Sequence, residues 1–292
     1  MKRFFVNIIN FVFLPLELYY LKKIMKKQVY NEILLKEIKS LDGNILVVAP
    51  HSDDEALGAG GIIKGMSDKA NFLIFIPTLN KNRDGNKRLC ESETAFVFAN
   101  KNPNIIPGGF EDGKLLNNLD NIRNELRRII EENSLKTVFV PFPTELHSDH
   151  YACSRSVLEF LKKELIDEVY FFSTNHLYLP EMVSCYYVFP GGKGAKIQLL
   201  EKYKSQKKIN FRKVVEVEDV YSKLFSCERF SEIFYRLKKE EKGRIDNLLS
   251  SMIEFAGEFS VSDYGSISKV LGIFRFALSN VSKIRKYFSQ TI

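Results

Sequence analysis

Short, unbroken apolar runs alternate along this chain with longer stretches in which apolar residues recur every three or four positions. Residues 44–49, 71–77, 138–142 and 169–173 are runs of the first kind. A strand covered on both faces reads this way, so they predict buried parallel strands. Residues 57–66, 88–99, 121–132 and 151–163 are of the second kind and predict helices; over 121–132, Ile122, Leu126, Ile129 and Ile130 share one face and the charges lie opposite. A short extended piece is expected around Ile105 and Ile106. Strand and helix in repeated alternation predict an α/β protein, with a mainly parallel sheet wrapped by helices.

The pattern changes toward both ends. Asp42-Gly43 is a turn signal that closes an N-terminal stretch. Beyond the turn at Gly191–Gly194, a helix over 195–206, an edge strand over 214–217 and helix from about 237 onward are expected. The organisation is therefore a helical extension over 1–42, a central domain over 43–236 and a basic helical extension over 237–292. In the first, Lys2 and Arg3 precede an apolar run from Phe4 to Leu16, with no small-residue cleavage site after it. That run is shorter than the roughly 20 residues a bilayer demands. It suits an amphipathic segment lying on a membrane or docked on the domain. In the last, Ile273–Leu278 leads into Lys283-Ile284-Arg285-Lys286-Tyr287-Phe288, which suits either contact with anionic lipid or packing on the core with solvated lysines.

Hydrophobic content of 45% and charged content of 27% are those of an ordinary globular enzyme. The net charge of +7 is too mild to mark a nucleic-acid partner. Cys90, Cys153, Cys185 and Cys227 are dispersed without a C-x-x-C pair, which reads as buried, reduced thiols of a cytoplasmic protein. The expected location is cytoplasmic, peripheral at the inner face of the membrane where the termini make contact.

The candidate chemistry lies at two strand ends. Residues 44–49 are followed at once by Pro50-His51-Ser52-Asp53-Asp54-Glu55, and residues 138–142 lead into His147-Ser148-Asp149-His150. Only four histidines occur in the chain, and three of them fall here. Helix capping by Ser52 and Glu55, or by Ser148 and Asp149, accounts for the hydroxyls and acids but not for the histidines. If a helix starts near Ser52, His51 and Asp54 are three apart and converge at the junction, while Asp53 turns about 100° away. A catalytic zinc takes three protein ligands and keeps one position for water; His51, Asp54 and His150 supply three. Asp53 is then the candidate base. His147, oriented by Asp149, would stabilise an oxyanion or protonate a leaving amine. Gly58, Gly60 and Gly61 do not fit G-x-G-x-x-G and read as close helix–sheet packing. His176 reads as structural.

At these residues the sequence resembles the PIG-L (LmbE-like) family of zinc-dependent N-deacetylases. Pro50-His51-Ser52-Asp53-Asp54-Glu55 matches the family's P-H-x-D-D-E, and His147-Ser148-Asp149-His150 its H-x-D-H. Lesser matches are Arg88, Glu91 and Ala95 to R-x-x-E-x-x-x-A, Asp112-Gly113 to D-G, Tyr203-Lys204-Ser205-Gln206 to Y-x-S-Q, and Glu228-Arg229-Phe230 to E-x-F. The family's glycine-rich loop after the second strand is replaced here by residues 78–85. The resemblance implies a Rossmann-like fold over about residues 44–236 and hydrolysis of an N-acetyl group on an amino sugar of the N-acetylglucosamine type. It implies His51, Asp54 and His150 as zinc ligands, Asp53 as base, His147 as the transition-state histidine and Arg88 as a substrate-binding arginine. Fe²⁺ remains an alternative to Zn²⁺, because two histidines and a carboxylate accept both. The expected partner is a small-molecule or lipid-linked amino sugar, not nucleic acid. The competing readings are a metal-dependent hydrolase of another amide or ester, and a non-catalytic binding protein on the same fold.

Overall fold

The structure, a computed structural model, describes residues 34–80, 83–98, 103–143, 145, 147–174, 182–206 and 209–258. The readings for His176 and for most of both terminal extensions fall outside these residues. The described elements are β1 (Lys36–Glu37), β2 (Gly43–Val48), α1 (Asp54–Met66), β3 (Ala70–Ile76), α2 (Arg83–Phe98), β4 (Asn104–Pro107), a 3-10 turn (Leu115–Asn118), α3 (Leu119–Glu132), β5 (Thr137–Pro141), α4 (Ser148–Lys162), β6 (Glu168–Phe172), β7 (Cys185–Val188), α5 (Gly192–Leu200), α6 (Phe211–Leu224), β8 (Ser231–Lys238) and α7 (Lys242–Glu258). The strands form one sheet in the order β1-β7-β8-β6-β5-β2-β3-β4. It is parallel except for β8, which runs antiparallel to β6 and β7. The architecture is thus the mainly parallel, helix-flanked α/β sheet that the apolar runs predict.

The connections explain where a site can form. From β2 the chain moves outward through β3 to β4 and then returns to place β5 on the other flank of β2. The crevice beyond the carboxyl ends of β2 and β5 is therefore a switch point, where the connections diverge and leave room for a ligand. β2 is a central strand, and Ile45, Leu46, Val47, Val48 and Ala49 are completely buried.

α1 leaves this crevice and lies close to the sheet. A Cβ on Gly58 would sit 1.9 Å from Cδ2 of Phe172, so only glycine permits this approach. The helix is also held by a buried charge cluster. Lys196 of α5 donates to the Leu57 carbonyl at 2.7 Å, to Glu218 at 2.6 Å and to Glu232 at 3.1 Å. Glu232 in turn accepts the Gly61 backbone N–H at 2.9 Å. The Leu57 carbonyl and the Gly61 N–H are the pair that a regular α-helix joins to each other. Here the side chains of Lys196 and Glu232 engage both, which ties α1 to α5 and β8.

Several sequence readings change. Residues 214–217 are not an edge strand but lie in α6, where Val215, Val217, Val220 and Tyr221 are buried; tertiary packing overrides the strand preference of valine. The helix expected over 195–206 is α5, which ends at Leu200. The apolar pattern does not predict β7 and β8, and β8 runs across residue 236. β1 joins the sheet from within the stretch expected to be a helical extension. Ile245, Leu248 and Met252 of α7 enter the same core as α3 and α4. Of Glu228-Arg229-Phe230 only Phe230 is buried, whereas Glu232, Ile233 and Phe234 of β8 are all buried. Cys153 and Cys185 are buried free thiols, but Cys90 is exposed and Cys227 partly so. No helix among the described residues is long and apolar enough to cross a membrane.

Candidate metal centre

The backbone between β2 and α1 is forced into an unusual shape. Asp53 has φ 133° and ψ −26°, a conformation that side-chain-bearing residues rarely adopt. Such a residue costs about 1–3 kcal/mol and persists only when its surroundings impose it. They do so here. Glu55 turns back to accept the Asp53 N–H at 2.9 Å, and it also takes Ser92 Oγ at 2.7 Å and the Tyr203 hydroxyl at 2.9 Å. Ser52 Oγ lies 2.8 Å from Ser92 Oγ and donates to the Arg88 carbonyl at 3.1 Å. Gln206 donates to the Ser52 carbonyl at 2.8 Å, and Glu91 accepts from Ser205 Oγ at 2.6 Å. The short motifs around Glu91 and Tyr203–Gln206 therefore buttress this turn. Ser52 does not cap α1; Asp53 is the N-cap residue and makes no side-chain cap bond.

The two histidine motifs meet across the crevice. His51 Nδ1 lies 3.1 Å from Asp54 Oδ2, His150 Nε2 lies 3.2 Å from the same oxygen, and the two ring nitrogens are 3.3 Å apart. A tetrahedral ion with bonds of roughly 2.0–2.1 Å sets its ligand atoms about 3.3–3.4 Å apart. The triangle is the size of one face of that tetrahedron.

Each histidine is oriented by a carboxylate on its far nitrogen. His51 Nε2 is 3.1 Å from Asp149 Oδ2, and Asp149 is itself held by the backbone N–H groups of Gly113 at 2.7 Å and Leu115 at 3.0 Å. His150 Nδ1 is 2.5 Å from Glu145 Oε2. Such outer partners fix the tautomer, so that the other nitrogen offers its lone pair. The expected pairing of Asp149 with His147 is a backbone one. His147 is the N-cap of α4, and its Nδ1 accepts the Asp149 N–H at 3.2 Å. The Asp149 carboxylate points to His51 instead, because the first turn of α4 directs it toward the loop at Gly113. His51, Asp112, His147 and Asp149 also offer ligand-capable atoms within 4.8 Å of one another, as do His51, His147 and His150. The triangle with Asp54 uses His51 Nδ1 and leaves His51 Nε2 to face Asp149.

Charge in the site is unbalanced. Burial would lower the pKa of His51, but hydrogen bonds to Asp112, Asp149 and Asp54 outweigh it and raise the value well above the ordinary one. Burial likewise opposes His150, yet Asp54 and Glu145 lift it to about 9. The carboxylates thus call for positive charge at the triangle, which protons or a divalent ion can supply. Asp53 is different. Burial, with Asp54 and Glu55 nearby, raises its pKa well above the usual range, and its buried Oδ2 has no hydrogen-bond partner. The donor set, the spacing and this orphaned oxygen beside it fit a divalent metal with a water. His147 is lowered to about 3 by burial and by the neighbouring His150 and His51, so it is a neutral imidazole at neutral pH. At the rim, Asp112 is half exposed and 3.3 Å from His51 Nε2. Its carboxyl is lowered to about 2, chiefly by the hydrogen bond with His51, with a smaller contribution from the charge of Arg88.

A mainly parallel α/β sheet thus carries, at its switch point, histidines and a carboxylate that converge as the ligands of a metal centre would. Residues 46–161, from β2 through α4 with both histidine motifs, match the model of the PIG-L family, described as GlcNAc-PI de-N-acetylase. This segment of the chain is therefore similar to the PIG-L family. No curated protein matches it. Solved structures with the same fold include the deacetylase of the teicoplanin biosynthesis pathway, at 16% identity and TM-score 0.56, over 67% of this chain and 98% of that one. The zinc-inhibited form of teicoplanin deacetylase Orf2 superposes at 15% identity and TM-score 0.55, over 67% and 98%. The conserved protein TT1542 from Thermus thermophilus does so at 22% identity and TM-score 0.53, over 65% and 93%.

Proposed function

We propose that this chain is a divalent-metal-dependent N-deacetylase that removes the acetyl group from an N-acetylated amino sugar of the N-acetylglucosamine type, free or carried on a lipid. The observation that carries the reading is the triangle of His51 Nδ1, Asp54 Oδ2 and His150 Nε2, with 3.1–3.3 Å edges and the orphaned Asp53 oxygen beside it. The family match over both motifs supports the choice of reaction. Zinc is the ion we favour, with Fe²⁺ as the alternative. A bound divalent ion supplies Lewis acidity and a lowered pKa for water.

The chain's own residues account for the remaining proton movements. Burial, with Asp54 and Glu55 nearby, raises the Asp53 pKa and so makes its carboxylate a stronger base toward water than an exposed one. As water oxygen bonds to the amide carbon, negative charge develops on the carbonyl oxygen. His147 is neutral, and its Nδ1 is occupied by the Asp149 N–H, so its Nε2–H is the available donor to that oxygen. This favours an oxyanion role over proton donation to the amine. Asp53 then delivers the proton it took to the nitrogen as the C–N bond breaks, leaving acetate and a free amine. Arg88 and Asp112, at the rim, suit binding of sugar hydroxyls. Basic and aromatic terminal segments suit peripheral contact with a membrane that carries the substrate.

The test is acetate release from a panel of free and lipid-linked N-acetylhexosamines, with metal analysis of the purified protein. Release should stop with a chelator and return with Zn²⁺ or Fe²⁺. Asp53→Asn should cost roughly 10²–10⁴-fold in kcat, the usual worth of a positioned base. No release from any member by metal-loaded protein, or release unaffected by Asp53→Asn, would overturn the assignment.

A further inference from the structure

Glu145 belongs to none of the motifs read from the sequence, and the chemistry above gives it no proton to carry. It is buried beyond the end of β5, two residues before His147. Its Oε2 lies 2.5 Å from His150 Nδ1 and accepts the Thr174 hydroxyl at 2.7 Å, while its Oε1 accepts the Thr174 backbone N–H. Thr174 lies just past β6, the strand hydrogen-bonded to β5. The carboxylate is therefore pinned by one residue of the neighbouring strand end.

An imidazole presents one donor and one acceptor, and the partner of one nitrogen decides what the other can do. With Nδ1–H donated to Glu145, His150 has its Nε2 lone pair to offer. That is the atom 3.2 Å from Asp54 Oδ2 and 3.3 Å from His51 Nδ1. Glutamate suits the position because its partners at His150 and Thr174 all donate: the imidazole N–H, the Thr174 hydroxyl and the Thr174 amide. A side-chain amide there would aim N–H groups at one or more of those donors.

We propose that Glu145 is a positioning residue that sets the metal affinity of this centre, by fixing the tautomer and ring orientation of His150 while Thr174 fixes Glu145. The inference rests on the metal reading of the triangle. A mere strut between the ends of β5 and β6 would alter stability but leave the affinity and ligand field of the ion unchanged.

The experiment uses the full chain and its Glu145→Gln and Thr174→Val variants. Zinc dissociation constants are measured by chelator competition, and the visible spectrum is recorded with Co²⁺ in place of zinc. Circular dichroism reports folding. Glu145→Gln should weaken zinc binding by roughly 10–100-fold, the usual worth of such an outer partner, and shift the cobalt bands. Thr174→Val should move both in the same direction by less. Wild-type affinity and spectrum in both variants would overturn the proposal while leaving the metal centre intact. Should Glu145→Gln fail to fold, Thr174→Val decides alone, and unchanged affinity there overturns it. A wild-type protein that binds no zinc would remove the metal reading itself and this inference with it.

Discussion

Replacing Asp53 separates two properties that the turn after β2 combines, backbone strain and a buried carboxylate. At φ 133° and ψ −26° an L-residue sits in unfavourable space, but glycine, which has no Cβ, adopts this region about as readily as its mirror image. Asp53→Gly should release about 1–3 kcal/mol of strain and lose about 0.5–1 kcal/mol through the greater freedom of glycine in the unfolded chain. Asp53→Asn keeps the strain and removes only the charge. In metal-free protein the glycine variant should therefore be the more stable of the two by about 1 kcal/mol. For a domain of this size that is about 2–4 °C in Tm. Thermal melts with excess chelator measure it, since a bound ion would add its own stabilisation to each variant. Both variants should lose the proposed deacetylation alike, because both lack the proposed base. A glycine variant no more stable than the asparagine one would refute the strain argument. Activity retained by either would refute the role of Asp53.

Two further predictions concern the frame behind the site. Gly58→Ala would force Phe172 or α1 to move, since the new Cβ falls 1.9 Å from the ring. The expected loss is about 1–3 kcal/mol, read from the urea midpoint, and an unchanged midpoint would contradict the packing. Glu218 is buried beside Lys196 and Glu232, and one lysine cannot neutralise two carboxylates. Burial raises the Glu218 carboxyl from 4.5 to about 7 despite the opposing Lys196. Between these values the folded state holds a proton that the unfolded state releases, so this contribution to stability is complete below 4.5 and lost as the pH rises toward 7. Glu218→Gln should lack that decline. Parallel curves of stability against pH for the two proteins would refute it.

Much of the centre was legible because its chemistry is local. Whether or not the rest of the chain is folded, His51 and Asp54 are three residues apart at a strand end, and a helix that begins there brings them together. The same holds for His147 and His150 in the first turn of α4, and the continuous apolar run of residues 44–49 already marks a strand covered on both faces. The motifs around Glu91 and Tyr203–Gln206 were visible as patterns, but not as buttresses of the Asp53 turn. Glu145 carried one weak signal, an acid two residues before a histidine, and no pattern along the chain pairs it with Thr174.

The sequence by itself determined the alternation of strand and helix and the candidate ligand types at the two strand ends, since periodicity and spacing along the chain express them directly. Only the tertiary structure decided that β5 lies beside β2, that Asp149 turns to His51 rather than His147, and that residues 214–217 are helical. It also decided that Glu232 reaches Gly61 across 171 residues of sequence. These depend on register and packing between segments far apart in the chain. Local preference is too weak to set such contacts, and the buried groups that make them are satisfied only when the whole sheet has formed.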